Sequence, residues 1–372
     1  MSLFTPFRLG PITLPNRIVM APLGRARAHA TSREPTRSMA IYYRQRASAG
    51  LIISESTHIS DESVSRPGTP GIHTEGQVRA WRSVTDAVHA AGGRIFQQLV
   101  HLGRKADPSR IPGGGLPIAP SAVAAIGTYP GPAGPAAFPI PRAMDLAEIG
   151  NLVRDFARAA DNADRAGFDG IELHGANGFL LDQFLRDSSN RRTDNYGGSV
   201  ENRARLLLEV VDATVRVLGR ERVGVRISPH TVQDGTSDSD PSALFSHVAT
   251  SLGVRRIAYV HLIENVSVPP AARVAQRIQR AFGGPIIVCG GLTLPTARSA
   301  IEEAQADLVA FGIGFIANPD LVLRLRLDEP WNDADPTTFY NGGDAGYLDY
   351  PELDASSSLL ATRPFAISAS GA

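Results

Sequence analysis

The stretch LAEIGNLVRDFARAADNADRAGFDGIELHGAN, residues 146–177, predicts a helix followed by a buried strand. Its first part has apolar residues three and four positions apart, the spacing of an amphipathic helix, at 149, 152, 153, 156, 160 and 163. We therefore predict a helix over Leu146–Ala166. The short apolar run Gly170–His174 follows it and is typical of a strand. Repeated along a chain, such units build a parallel sheet covered by helices.

The same alternation continues along most of the chain. We predict eight strands: Arg17–Pro22, Leu51–Ser56, Arg94–Leu99, Gly170–His174, Val223–Ser228, Ala258–Ile263, Pro285–Gly290 and Leu308–Gly312. Eight strand–helix units in about 300 residues fit a closed (β/α)₈ TIM barrel of the α/β class. An open, doubly wound sheet is the alternative, but no GxGxxG motif follows the first strand.

Two segments depart from this alternation. Residues Lys105–Pro141 follow the third predicted strand and are too rich in glycine and proline for regular structure. Barrel enzymes keep their active sites at the carboxyl ends of the strands, so we predict that this insertion is a wall or lid of the site. We predict a single barrel domain over residues 1–353. A flexible tail over 354–372 would dock on the partner subunit of a homodimer.

Composition limits what the protein binds. Lys+Arg and Asp+Glu both count 37, so the net charge is zero and offers no basic surface for nucleic acid or an anionic membrane. The N-terminal MSLFTPFRLGPITLPN lacks the pattern of a signal peptide, and no later stretch has the roughly 20 apolar residues that span a bilayer. The only cysteine is Cys289, so we expect neither an internal disulfide nor an iron–sulfur cluster. We expect a cytoplasmic protein whose partner is a small molecule.

Polar residues stand at or just after the predicted strand ends, where barrel enzymes keep their chemistry. They are Gln97, Gln98, His101, Glu172, His174, Asn177, Arg226, His261 and Glu264. Any one of them alone is equally explained by hydrogen bonds at the barrel rim. Together they favour an active site.

Glycines end the last two predicted strands, in CGG (289–291) and FGIG (311–314). Glycine lets backbone N–H groups approach an anion closely, and the loops after strands 7 and 8 are the usual phosphate site of this fold. A phosphorylated cofactor or substrate is therefore predicted, with plain turns as the alternative.

Two other barrel chemistries fit less well. A metal-dependent hydrolase needs a His-x-His pair on the first strand, which instead ends in Met20-Ala21-Pro22, and we predict no metal site. A Schiff-base aldolase needs a lysine on a strand, whereas the only lysine, Lys105, lies just outside the third strand.

The sequence AGFDGIELHGANGFLLDQFLRDSSNRRTDNYGGSVENRAR, residues 166–205, resembles the signature of the old yellow enzyme family. Further similar motifs are LFTPFRLGPITLPNRIVMAPLGRAR near the start, QQLVHLGR at 97–104, APSA at 119–122, VGVRISP at 223–229, FIANPDL at 315–321 and GYLDYP at 346–351. The resemblance covers nearly the whole chain.

This resemblance implies a barrel that holds FMN without a covalent bond and is reduced by NAD(P)H. Hydride then passes from the flavin to the β-carbon of an α,β-unsaturated carbonyl substrate. His174 and Asn177 would hydrogen-bond the substrate carbonyl oxygen and stabilise the charge that develops there. Gln98 and Arg226 would contact the flavin pyrimidine. The remaining implied contacts are Pro22, Leu23 and Ser56 at the flavin ring, and Gly290, Gly291 and Gly312 at the phosphate.

The chain departs from the family pattern at four positions. Phe179 stands where the family has a proton-donating tyrosine, and phenylalanine has no proton to give. Gly24 replaces a threonine that hydrogen-bonds the flavin, and Val100 replaces a tryptophan, which opens space above the site. Ile313 replaces the arginine that grips the FMN phosphate. Loss of that charge-assisted contact would weaken FMN binding by about 1.5–3 kcal/mol.

Three functional hypotheses follow. The first is an FMN-dependent reductase of conjugated enones or enals, whose proton comes from water or from another group such as Tyr340. The second is a redox-neutral isomerase, in which slow protonation beside Phe179 lets the substrate return the hydride. The third is a barrel without flavin that binds or converts another ligand, motivated by Gly24 and Ile313.

Overall fold

The strands that the sequence predicts are present and pair side by side in one closed ring. The structure, a computed structural model, describes residues 2–64, 66–131, 133–264, 268 and 273–353. Its strands are β1 (Phe7–Leu9), β2 (Ile12–Leu14), β3 (Ile18–Met20), β4 (Leu51–Ile53), β5 (Thr57–His58), β6 (Ile95–Val100), β7 (Ile118–Ala119), β8 (Thr128–Gly131), β9 (Gly134–Ala137), β10 (Arg142–Ala143), β11 (Gly170–Gly175), β12 (Val223–Ile227), β13 (Tyr259–Ile263), β14 (Ile286–Cys289) and β15 (Leu308–Phe311).

The helices lie between the strands of the ring or follow its last strand. They are α1 (Arg37–Gln45), α2 (Glu75–Ala90), α3 (Leu146–Arg165), α4 (Leu180–Leu185), α5 (Val200–Leu218), α6 (Pro241–Arg255), α7 (Ala275–Phe282), α8 (Leu294–Glu302), α9 (Ile313–Ala317) and α10 (Leu321–Leu327). Within the part of the chain that the structure describes, none of them is long and apolar enough to cross a membrane.

Eight parallel strands form the barrel, in the order β3, β4, β6, β11, β12, β13, β14 and β15. The ring closes because β15 pairs with β3, with Phe311 opposite Met20. The (β/α)₈ prediction is confirmed, and each of the eight predicted strands corresponds to one strand of the ring. The open-sheet alternative is wrong.

The alternation of side chains along each strand creates two apolar layers. In β4, Leu51 and Ile53 belong to the cluster inside the barrel, whereas Ile52 packs outward against the helices. The hairpin of β1 and β2 contributes Leu9 and Leu14 to the inner cluster. Toward the carboxyl ends of the strands, the side chains inside the barrel become polar. A site can form at this end.

The predicted helix over Leu146–Ala166 is confirmed as α3, which ends one residue earlier. Asp145 starts it: its carboxylate accepts a hydrogen bond from the Glu148 N–H at 2.8 Å, and the Glu148 carboxylate accepts one from the Asp145 N–H at 2.8 Å. This reciprocal capping box satisfies backbone donors that the first turn leaves unpaired.

The insertion after the third barrel strand contains more regular structure than its composition predicted. Strands β8 and β9 pair as an antiparallel hairpin, and β7 pairs with β10. Proline lacks an N–H and is tolerated only at sheet edges. Both strands of a two-stranded ribbon are edges, so Pro130 and Pro135 stand opposite each other without breaking the ladder. The prediction of an irregular segment is wrong for this reason.

The chain after α10 turns back onto the barrel. The predicted tail, residues 354–372, lies outside the described residues.

Candidate active site

A cavity of about 600 Å³ opens at the carboxyl ends of the barrel strands. The residues that line it lie near the carboxyl ends of β12, β13, β14 and β15, in the segments directly after β3, β11, β14 and β15, and in the later chain around Trp331. Of the predicted site residues, the cavity brings together Pro22, Leu23, Asn177, Arg226, Gly290, Gly291, Gly312 and Ile313.

His174 lies near the end of β11, and Asn177 lies just after this strand ends. His174 is buried, and its Nδ1 has no hydrogen-bond partner among the described residues. Burial, and then the charges of Arg226 and Lys105, hold the pKa of His174 well below its usual range. The imidazole is therefore neutral at pH 7 and can still donate one N–H.

Asn177 is held in a left-handed backbone conformation, with φ of 58°. Its N–H donates to the Ser228 hydroxyl at 2.9 Å, which ties this turn to the end of β12. Asparagine accepts such a conformation better than most residues. The turn thus places Asn177 on the cavity wall, three residues after His174.

A buried polar network fills the barrel interior below the cavity. The Gln98 amide donates to Glu172 at 2.7 Å and accepts from the Ser56 hydroxyl at 2.5 Å. The other Glu172 oxygen lies 2.8 Å from His261 Nδ1. Burial alone would raise the pKa of Glu172, but His261, Arg226 and Gln98 together lower it. Predicted residues Gln98 and Ser56 therefore meet here, in contact with each other.

Arg226 joins this network to the cavity. Its Nη2 donates to the Cys289 sulfur at 3.4 Å, while its Nε has no partner among the described residues. Burial alone would raise the pKa of the Cys289 thiol, but His261 and Arg226 bring it down to about 7. From the sequence, Cys289 was expected to form neither a disulfide nor part of an iron–sulfur cluster, and no role in the site was predicted for its side chain. Its position at the carboxyl end of a barrel strand was the signal that it faces the site.

The glycines after β14 and β15 line one end of the cavity. Gly290 and Gly291 have φ of 133° and 76°, a region that side-chain-bearing residues rarely adopt. A Cβ on Gly312 would lie 3.3 Å from the Leu23 side chain. The backbone conformation and this close contact account for glycine at these positions, and all three residues line the cavity.

The four positions that depart from the family pattern occupy different environments. Ile313 is 62% exposed at the start of α9, and Arg226 is the only cationic residue in the described cavity lining. Gly24 is exposed, and a Cβ there would meet no described atom within 4 Å. Val100 is buried in a small apolar cluster, against which Phe179 packs.

Phe179 stands beside both His174 and the only lysine. Its ring meets the His174 imidazole edge-on, with centroids 4.8 Å apart. The Lys105 ammonium lies 4.6 Å from the centroid of the same ring. No local sequence pattern connects Lys105 with Phe179.

Tyr340 is not brought together with these residues. It is 49% exposed, its ring lies under the Arg66 guanidinium at 4.1 Å, and it lines a separate surface groove with Pro67 and Pro130. A proton donor at the cavity has to be sought elsewhere.

The described residues show no group of three or more His, Cys, Asp or Glu side chains placed to hold a metal. The polar groups of the cavity lining are instead one guanidinium, side-chain and backbone amides, one thiol and the carboxylate of Asp333. Such a set suits a polar organic cofactor and a carbonyl substrate.

Solved structures resemble this one closely along almost its whole length. Morphinone reductase in complex with tetrahydroNAD matches with a TM-score of 0.92 at 46% identity, covering 96% of this chain and 99% of that chain. An old yellow enzyme homologue from Zymomonas mobilis matches with a TM-score of 0.91 at 43% identity, covering 95% and 100%.

Curated proteins give the same result. A probable flavin mononucleotide-dependent alkene reductase from Leishmania infantum is 44% identical over 351 residues, covering 93% of this chain and 96% of its own length. 12-Oxophytodienoate reductase 2 from Arabidopsis thaliana is 40% identical over 369 residues, covering 95% and 96%. A family model matches residues 2–332. The chain therefore belongs to the NADH:flavin oxidoreductase / NADH oxidase family.

Proposed function

We propose that the protein is an FMN-dependent oxidoreductase that uses NAD(P)H to reduce the C=C bond of α,β-unsaturated carbonyl compounds. The observation that carries this proposal is the cavity that joins Asn177 and Arg226 to the glycines after β14 and β15. Relatives with 40% identity or more over nearly the whole chain are described as an alkene reductase and an oxophytodienoate reductase.

The residues present fit FMN. The buried Nε of Arg226 lacks a partner among the described residues and would meet the flavin pyrimidine, together with the Gln98 amide. Pro22 and Leu23 would lie against the ring system, and Gly290, Gly291 and Gly312 would present backbone amides to the phosphate. Bound FMN would supply hydride chemistry between NAD(P)H and the substrate.

The chain's own contribution to catalysis is to bind and polarise the carbonyl group. The neutral His174 imidazole and the Asn177 amide would donate hydrogen bonds to the substrate oxygen, where negative charge builds up during reduction. Because both groups are fixed by the end of β11, they need little rearrangement as that charge develops.

The two other hypotheses are not favoured. The flavin-free barrel was motivated by Gly24 and Ile313, but the cavity and its glycine-lined end are retained. No contact favours the isomerase over the reductase, and the described relatives are named as reductases.

An absorbance spectrum of the purified protein, followed by identification of the released cofactor, tests the flavin assignment. We expect bound FMN, bleaching of its absorbance by NADH or NADPH, and consumption of one reductant per molecule of 2-cyclohexenone converted to cyclohexanone. A protein that stays colourless after incubation with excess FMN contradicts the cofactor, and isomerised product without NAD(P)H consumption contradicts net reduction.

We also propose a homodimer and a cytoplasmic location. The exposed apolar side chains of Ile126 and Val232, on adjacent loops, support the dimer, and the NAD(P)H that the reaction consumes supports the location. Light scattering in solution and cell fractionation test them.

A further inference from the structure

With phenylalanine at position 179, the proposed reduction lacks the proton donor that a tyrosine there would supply. The structure shows which group lies beside the Phe179 ring. Reduction of an enone needs a hydride at the β-carbon and a proton at the α-carbon. Phenylalanine cannot donate that proton. The ammonium of Lys105 lies 4.6 Å from the centroid of that ring.

Lys105 is buried and held in place from several sides. Only 8% of the residue is exposed, its ammonium forms an ion pair with Asp234, and it donates to the backbone oxygen of Asn177 at 3.2 Å. Asn177 itself lines the cavity. The ammonium is therefore in direct contact with the wall on which the carbonyl group would bind.

The backbone that carries Lys105 is also rigid. It ends a single helical turn, Gly103–Lys105, directly after β6. Gln183 clamps this turn, because its amide accepts from the Arg104 N–H at 3.1 Å and donates to the Leu102 oxygen at 2.9 Å. Gly103 has φ of 60°, and a Cβ there would lie 2.2 Å from the Gln183 amide oxygen. This close packing fixes the starting point of the lysine side chain.

We propose that Lys105 is the general acid of this enzyme and delivers the proton that a tyrosine at position 179 would otherwise supply. The inference rests on the proposed function. An ammonium group, like the hydroxyl of a phenol, has a hydrogen that it can donate, which phenylalanine lacks. The ion pair with Asp234 orients the ammonium.

The proton balance of the step is simple. As hydride reaches the β-carbon, the substrate carbonyl becomes an enolate whose oxygen is held by His174 and Asn177. An N–H bond of Lys105 breaks, a C–H bond forms at the α-carbon, and the lysine is left as a neutral amine. Water then returns a proton to that amine. Lys105 undergoes no oxidation or reduction.

Variants of Lys105 separate acid catalysis from a merely electrostatic role. Lys105→Met removes both the charge and the proton, whereas Lys105→Arg keeps the charge opposite Asp234 but supplies a far weaker acid than lysine. We expect both variants to slow reoxidation of the reduced enzyme by 2-cyclohexenone at least about 100-fold, while bleaching by NAD(P)H changes little. Arg154→Met, on the exposed face of α3, is the matched control and should behave as wild type.

A rescue variant makes the test specific. Phe179→Tyr restores the phenol next to the lysine, and in the Lys105→Met background it should recover most of the lost rate. A Lys105→Arg variant as fast as wild type, a Lys105→Met variant as fast as wild type, or a double variant as slow as Lys105→Met would each overturn the inference.

The single lysine also gives a readout that needs no turnover. With ¹⁵N-labelled lysine the chain has one side-chain ammonium signal, and saturating 2-cyclohexenone should shift it in the oxidised enzyme. A signal that does not respond means that Lys105 does not face the ligand. Failure of the proposed function looks different, because wild-type enzyme would then not bleach with NAD(P)H or not be reoxidised by the enone.

Discussion

At the carboxyl end of the barrel, charged side chains change the pKa of their neighbours. Cys289 is 6% exposed, lines the cavity and is the only cysteine of the chain. The pKa of its thiol is about 7, because His261 and Arg226 outweigh the effect of burial. A cation next to a thiol favours the thiolate, which is the nucleophilic form.

We predict that alkylation of Cys289 by iodoacetamide follows this titration. Below pH 7 the rate should fall about tenfold per pH unit, and above it the rate should level off, because only the thiolate reacts. Arg226→Gln removes a neighbouring cation and should move the midpoint to higher pH. Mass spectrometry of the intact chain measures the adduct at this one site. A midpoint near the ordinary value of about 8.5 would contradict the assigned environment.

Ile313 occupies a position where a positive charge would meet the proposed phosphate. We predict that Ile313→Arg lowers the dissociation constant of FMN by roughly ten- to a hundredfold, equivalent to about 1.5–3 kcal/mol, because a charge-assisted contact forms. The side chain is 62% exposed, so the larger residue can be accommodated. Fluorescence titration of the apoprotein with FMN measures the change. Ile313→Gln supplies length without charge, and an equal gain there would rule out electrostatics as the cause.

At the scale of elements, the sequence correctly predicted the helix and strands that carry a local apolar pattern. Helix α3 was predictable from its amphipathic spacing and the eight barrel strands from their short apolar runs, and α3 has its cap residues next to it in sequence. The β8–β9 hairpin was missed because its glycines and prolines carry no alternating apolar pattern. Its stability comes from the pairing of one strand with the other.

The N-cap of α3 provides a prediction at this scale. Asp145→Ala should lower the free energy of unfolding by about 1 kcal/mol, because the Glu148 N–H loses its acceptor. Urea denaturation followed by circular dichroism measures the loss. Asp155→Ala, in the middle of the same helix, is the control and should cost less, since its contact with Arg158 is an exposed ion pair. Equal losses in the two variants would mean that capping contributes nothing.

At the scale of the whole molecule, buried arginines and aromatic rings join the first part of the barrel to the segment after α10. Arg25 donates to the backbone oxygens of Phe339 and Gly346, and Arg27 donates to those of Thr338 and Gly343. The Tyr347 ring stacks on Tyr42 of α1, with centroids 4.1 Å apart. These contacts hold the segment after α10 against the barrel.

We predict that Tyr347→Ala destabilises the protein by about 3–5 kcal/mol, as truncation of a buried aromatic side chain does. Tyr347 is fully buried, whereas Tyr340 in the same segment is 49% exposed. Tyr340→Ala is therefore the matched control, with an expected change within about 0.5 kcal/mol. Chemical denaturation of both variants measures the difference. A Tyr347→Ala variant as stable as the control would show that the segment docks without this contact.

The sequence by itself determined the barrel, its eight strands and the family, because these are recorded in local periodicity and in continuous motifs such as residues 166–205. It also identified which strand ends carry His174, Asn177 and Arg226. Only the tertiary structure decided which groups touch. Lys105 meets Asp234 and Phe179, Arg226 meets Cys289, and Tyr340 lies outside the cavity. These pairings join residues far apart in the chain, and they depend on how the strands are staggered around the ring, which no local pattern encodes.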